Sequence, residues 1–116
     1  MMSDFNDPRP KEVIPFRKDM LLAICNGTKT MTSRNSRYPL GVHLYEQHGW
    51  HLVIEVYEVK RMRLGTVARD HYMAEGFSNG QAFIDVWNEI HPKKRFSSLQ
   101  QIWAHRFRVL EARRWA

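Results

Sequence analysis

The chain has 116 residues, 43% of them hydrophobic and 26% charged, with a formal net charge of +6 and a single cysteine. That length builds one domain with a real core but not two, and the composition is that of a folded globular protein. No apolar run approaches a membrane span, the opening MMSDFNDPRP has no apolar leader stretch, and Cys25 alone closes no internal disulfide, so a cytoplasmic protein is expected.

Residues 1–13 hold Asp, Asn and two prolines without periodicity and read as a loose lead-in, leaving 14–116 as a single domain. Phe16, Met20, Leu21 and Ile24 recur at helical spacing after Pro15, and Asn26-Gly27 supplies the stop, so a helix is expected over Phe16–Cys25. Cys25 then sits on that helix as a small hydrophobe. The following segment mixes Thr, Ser, Arg and Gly and reads as loop with short strands, and Gln47-His48-Gly49 fits a hairpin turn. His51–Met62 is a strand with apolar residues on both alternate faces, Leu52, Ile54 and Val56 on one, Val53, Tyr57 and Val59 on the other. A short helix is expected over Val67–Ala74 with Thr66 as its cap, and Ser78 with Gln81 forms a capping-box pattern before a helix to about Ile90. Phe83, Val86, Trp87 and Ile90 make its buried stripe, and Pro92 ends it. Ile102–Leu110 alternates Trp103, His105, Phe107 and Val109 against polar neighbours, the period of a half-buried strand. Helix, strands, helix pair, strand is the order of an α+β protein with a mainly antiparallel sheet.

The positive balance favours an anionic partner, and basic residues interleave with Trp103, Phe107 and Trp115 near the C-terminus. Solvated faces of unrelated elements explain the same charges equally well. Cys-x-x-Cys, HExxH, phosphate-cradling glycine loops and the serine-hydrolase elbow are all missing from the sequence, and the six histidines are scattered, so neither a metal nor a cofactor is expected.

One stretch stands out: Gly27-Thr28-Lys29-Thr30-Met31-Thr32-Ser33-Arg34, directly after the first helix. Gly27 permits a left-handed turn that lets the chain double back, while Lys29 and Arg34 bring cations suited to phosphate or carboxylate. In an extended segment Thr30 and Thr32 share one face, and Lys29, Met31 and Ser33 the other, so Lys29 meets Thr32 only across a twist or bulge.

The stretch matches the G-x-K-x-x-x-x-R motif of ASCH domains at Gly27, Lys29, Thr30 and Arg34. Later landmarks follow in order: Glu58-Val59-Lys60, Leu64-Gly65, Glu75-Gly76-Phe77 with Ser78, Phe83 and Trp87 on a helix, and Arg106-Phe107. Over about residues 14–110 the chain therefore resembles an ASCH domain. The resemblance implies a small PUA-like β-barrel of five to six mainly antiparallel strands with flanking helices, and handling of RNA or a modified nucleoside. Within the family, many members are RNA-binding modules, whereas small single-domain members are N4-acetylcytidine amidohydrolases. Residue by residue, the latter pattern falls on Lys29 to activate, Thr32 as nucleophile and Glu75 to assist proton transfer. Gly27, Thr30, Arg34, Tyr38 and Lys60 become the ligand or nucleic-acid contacts, Tyr38 as the stacking ring in a loop.

Each of these residues has a plainer role available. Lys29 suits a phosphate contact, Thr32 a strand position, and Glu75 the last charge before a glycine stop or an ion-pair partner of Lys29 or Arg34. Trp50, Trp87 and Trp103 suit the core. A ribonuclease using the same basic cleft is a third possibility. Thr32, at a position where the binding modules often carry Glu, favours the enzyme.

Overall fold

The computed structural model of the protein describes residues 14–114, so the expected lead-in lies outside them. Helix α1 runs Lys18–Cys25, with Leu21 and Ile24 fully buried at helical spacing and Asp19 in its first turn, where a carboxylate suits the helix dipole. It starts later than expected because Arg17 is extended and Phe16 before it is buried, the Phe16 ring centroid 6.0 Å from those of both Tyr45 and Phe107. The chain leaves the helix through Asn26 and Gly27, whose φ of +86° lets Gly27 N and Thr28 N reach back to the Ile24 and Ala23 carbonyls at 3.2 and 3.0 Å. Burying Leu21 and Ile24 stabilises by roughly 1.5–3 kcal/mol each before entropy, and Leu21→Ala is the single change that would most directly detach the helix.

Strands β1 (Met31–Arg34), β2 (Gly41–Gln47), β3 (Trp50–Arg63) and β4 (Gln101–Arg114) form one antiparallel sheet in the order β1-β4-β3-β2. The β2–β3 turn falls where Gln47-His48-Gly49 placed it, with His48 and Gly49 at φ 54° and 80°, the successive left-handed residues of a tight hairpin. Helix α2 (Leu64–Asp70) begins three residues before the expected Val67. Its first N–H groups need no Thr66 cap, because Leu64 N and Gly65 N donate to the Gln100 and Ser98 carbonyls at 2.7 and 2.9 Å. Helix α3 (Gly80–Ile90) is capped by Asn79, whose Oδ1 accepts from Ala82 N at 2.8 Å, rather than by Ser78; Gln81 donates to Asp85 instead. Ile90, expected in the buried stripe, is 48% exposed at the helix end.

The sheet carries apolar side chains on both faces. One face holds Leu52, Ile54, Val56 and Phe107 against α1, with Ile14, Phe16 and Tyr45; half-buried Cys25 packs at its margin. The other holds Met31, Ile102 and Ala104 against α2 and α3, with Leu64, Val67, Phe83 and Trp87. The first half of β4 is thus buried on both sides. The second face of β3 is only partly covered despite its apolar residues: Val53 is half-buried and Tyr57 lies exposed beneath Arg108, whose guanidinium sits 4.5 Å from the ring centroid.

The expected barrel of five to six strands is not what forms. Among the described residues four antiparallel strands make an open sheet, flanked by three helices. Register shifts at Val53/Ile54 and Val56/Glu58 bend β3, but closure would require the free edge of β1 to pair with another strand. That edge is otherwise engaged. Met31 N donates to the Ala74 carbonyl at 3.0 Å and Met31 O accepts from Lys29 Nζ at 3.0 Å. The edge that would seal a barrel lines a cavity.

Candidate active site

The cavity lies along β1, where the layer of α1 meets that of α3, and its volume is about 420 Å³. Its polar end is formed by Lys29, Thr32, Ser33, Arg34 and Glu75; Phe16, Phe77, Phe83 and Trp87 are among its apolar wall, and Asn35, Ser36 and Tyr38 belong to the loop after β1. A cavity of this size holds one nucleoside-sized ligand. Arg17 and Glu89, also joined by a hydrogen-bonded ion pair of 2.9 Å, tie the lead to α1 to α3 beside it.

Glu75 reaches Lys29 through a compact turn over residues 71–76. Glu75 N donates to the His71 carbonyl at 3.1 Å, and the Ala74 carbonyl accepts from Thr30 N and Met31 N at 2.7 and 3.0 Å, fastening the turn to the start of β1. Gly76, at φ +96°, closes the turn, and a Cβ there would stand 3.2 Å from that of Lys29. The Lys29 and Glu75 side chains are 5% and 4% exposed and form an ion pair of 2.9 Å. Lys29 Nζ donates three times, to Glu75 Oε1 at 2.9 Å and to the Glu75 and Met31 carbonyls at 3.0 Å each. This is the full donor complement of an ammonium. The second carboxylate oxygen accepts from Ser33 Oγ at 2.5 Å.

Strand alternation then divides the site. Lys29 and Ser33 share Glu75, while Thr32 faces the α1 side with Arg34, whose Nε donates to Thr32 Oγ1 at 2.9 Å. The three Lys29 bonds go to Glu75 and Met31 and the Thr32 hydroxyl is held by Arg34, while Lys29 and Thr32 border the same cavity. Because Thr32 Oγ1 accepts from arginine, its own proton remains available for transfer. Burial pulls the Arg34 guanidinium below its usual pKa, against the opposing pull of Glu75 and Tyr38, and its charge lies 5.2 Å from the centre of the Phe16 ring.

Among the other residues singled out from sequence, Tyr38 lines the cavity, whereas Gly27 and Thr30 line a separate recess with Cys25 and Phe107. Lys60 lies outside the cavity, its side chain 65% exposed and 3.3 Å from Glu58. Sequence reasoning passed over Ser33 as a site residue, although the period-two pattern had already placed it on the face of Lys29. It also passed over His105, which is fully buried, accepts from Tyr38 N on Nε2 at 2.9 Å and bonds the Thr32 carbonyl through Nδ1 at 3.2 Å. No signal in the sequence distinguishes this histidine from a core residue. Among the described residues no group of three His, Cys, Asp or Glu side chains is placed to hold a metal, and no helix is long and apolar enough to cross a membrane.

Fold and cavity together define an α+β domain with a buried ionic centre at a sheet edge. The same fold is found in an ASCH domain from Lactobacillus crispatus JV V101, with a TM-score of 0.54 and 15% identity over 84% of this chain and 76% of that one. A protein from Enterococcus faecalis V583, described under the family model DUF984, superposes with a TM-score of 0.57 and 15% identity over 81% of this chain and 68% of that one. At that identity the likeness establishes an ASCH-like fold. No family model and no curated protein matches the sequence.

Proposed function

We propose that the protein is a small amidohydrolase that deacylates a modified pyrimidine nucleoside such as N4-acetylcytidine, with Lys29, Thr32 and Glu75 as its catalytic residues. The observation that carries this reading is the convergence of a buried Lys–Glu pair and a threonine hydroxyl on one nucleoside-sized cavity. A proton passing along the 2.9 Å bond from Lys29 to Glu75 creates an amine base and a carboxylic acid side by side. The amine takes the Thr32 proton through one intervening water, and Thr32 Oγ1 bonds to the acyl carbon. The C–N bond breaks as Glu75 delivers its proton to the departing exocyclic nitrogen. The Lys29-to-Glu75 proton transfer then repeats, and water attacks the acyl ester, giving a proton to the Lys29 amine while Glu75 returns one to Thr32. The ammonium of Lys29 and the carboxylate of Glu75 are restored after each half. Arg34, bonded to the nucleophile, is positioned to stabilise its developing negative charge.

The test is direct. Purified protein incubated with N4-acetylcytidine should release cytidine and acetate, and Lys29→Ala, Thr32→Ala and Glu75→Ala should each abolish release while circular dichroism remains that of a folded domain. Absence of turnover by the wild type would overturn the reading.

A second reading, an RNA-binding ASCH module with or without ribonuclease activity, has an observation of its own. The guanidiniums of Arg37 and Arg61 stand 5.7 and 4.8 Å from the ring centroid of Trp103, and Arg37 is exposed just beyond the Asn35–Ser36 rim. In that case Arg34→Ala and Lys60→Ala weaken RNA binding across sequences and reduce its salt dependence by roughly one unit of slope per lost phosphate contact. Unchanged affinity and slope in both variants would remove the reading.

A further inference from the structure

The loop Asn35–Leu40 carries the chain from β1, at one edge of the sheet, to β2 at the other, and it contributes Asn35, Ser36 and Tyr38 to the cavity. Two buried histidines hold its middle. His43, on β2, is 6% exposed, and its Nε2 lies 2.8 Å from the Pro39 carbonyl. His105, on β4, is 0% exposed and meets Tyr38 N at 2.9 Å and the Thr32 carbonyl at 3.2 Å. The protonation pattern of His105 is dictated by these partners. Tyr38 N–H can only donate, so Nε2 must carry the lone pair; the Thr32 carbonyl can only accept, so Nδ1 must carry the proton. His105 is therefore a neutral imidazole of one tautomer, tying the backbone of the proposed nucleophile to the backbone of the loop. The Tyr38 ring packs edge-on against it with centroids 5.7 Å apart.

We propose that His105 is a positioning residue for this cavity, holding the Asn35–Leu40 loop against the strand of Thr32, and that protonation of its Nε2 releases the loop and opens the wall. A proton on Nε2 would point an N–H at the Tyr38 N–H, removing the acceptor and setting two donors against each other. The surroundings oppose that proton. Burial is the largest influence lowering the His105 pKa; Arg34 on β1 and His43 on β2 add charge of the same sign, while the Thr32 and Trp103 carbonyls pull the other way. From β3 the residue opposite is Val59, which brings no charge, and from the loop Tyr38 presents its ring and its N–H. The clamp is thus closed at neutral pH and released by acid.

The inference rests on the reading of the cavity as a ligand site only for its consequence, an acid-sensitive affinity; the clamp itself is tested without any substrate. In nitrogen-15 NMR at neutral pH, His105 Nε2 should resonate as an unprotonated ring nitrogen and the Tyr38 amide should be protected from exchange. On acidification the Tyr38 protection, corrected for intrinsic exchange, should fall at least about tenfold, the worth of one hydrogen bond, with the midpoint of the His105 titration. Two variants separate the two ring nitrogens. His105→Gln offers an acceptor near Nε2 and cannot titrate, so Tyr38 should stay protected at acid pH; His105→Asn keeps a donor near Nδ1 and should expose Tyr38 at every pH. A protonated Nε2 at neutral pH, or Tyr38 protection indifferent to the His105 titration, would overturn the proposal, and both are read on the wild type even if a variant fails to fold. If Tyr38 follows His105 but N4-acetylcytidine is not turned over, the clamp stands and the amidohydrolase reading falls.

Discussion

The Lys29–Glu75 pair gives the most demanding test of the site's energetics. Its two side chains are 5% and 4% exposed, so neither charge has water to fall back on. Glu75→Gln keeps the shape of the side chain and an oxygen for Lys29, but leaves an ammonium buried among neutral acceptors. Lys29→Met removes the cation and leaves a carboxylate with Ser33 Oγ at 2.5 Å as its remaining side-chain partner, and the Met31 and Glu75 carbonyls without the donor they share. Removing one member of such a buried pair costs about 3–5 kcal/mol, against a total stability of roughly 5–15 kcal/mol for a domain of this kind. The double variant has no buried charge to compensate; its cost is the orphaned carbonyls, about 1–3 kcal/mol each at most. At matching ends of these ranges the singles should therefore sum to more than the double by about 4 kcal/mol, slightly above the usual couplings between contacting residues. Urea unfolding of the four proteins at neutral pH measures this, provided the slopes agree. Additivity within about 0.5 kcal/mol would refute the argument, because it would mean that neither charge senses the other. The same four proteins serve the functional reading: a double variant that is folded yet releases no cytidine separates loss of chemistry from loss of structure.

Asn79→Ala should cost about 1 kcal/mol, through loss of the bond to Ala82 N, whereas Ser78→Ala should stay within about 0.5 kcal/mol; thermal unfolding of both identifies the true cap. Gly80→Ala should destabilise by roughly 1–3 kcal/mol or more in the same assay, because the added Cβ would fall 2.3 Å from the Ala68 carbonyl oxygen and force α3 off α2. His105 should impose a pH dependence of known sign. Its folded pKa lies below the ordinary 6.5, so the unfolded chain binds more protons below that pH, and stability is lost as pH falls from about 6.5 through the lowered value. The stability difference between wild type and His105→Gln should therefore shift against the wild type on acidification, measured by urea unfolding at several pH values; a difference constant with pH would contradict the buried neutral imidazole.

Local chemistry was written plainly in the sequence. The period of Leu21 and Ile24, the Asn26-Gly27 stop, the His48-Gly49 turn and the inward face Leu52, Ile54 and Val56 of β3 each depend on neighbours a few residues away, and the structure has all of them. The alternation expected in β4 gives way to burial of Ile102 and Ala104 on one face and His105 and Phe107 on the other, and Val109 is exposed, because layers pack on both sides of the strand's first half. Helix starts were legible only where the cap is local. The start of α2 moved because the Ser98 and Gln100 carbonyls, more than thirty residues onward in the chain, accept its first N–H groups. The number of strands and the open sheet lay beyond the sequence for the same reason: whether an edge pairs depends on what else reaches it.

The candidate site divides along the same line. Alternation along the stretch implied that Lys29 and Ser33 would face away from Thr32, and the hydrogen bonds follow that division, with Arg34 joining Thr32. That Glu75 would come to Lys29 followed from resemblance alone, since no local spacing links residues so far apart. Tertiary structure supplied the joint, through the Ala74 carbonyl that receives two N–H groups from the start of β1. It also decided the partner of the Thr32 hydroxyl and the tautomer of His105, because both are set by donors and acceptors that only folding brings within 3 Å or so. Sequence determines which groups are available and which face of a strand they share; their partners come from packing across layers, where burial leaves each polar group no choice but the one that fits.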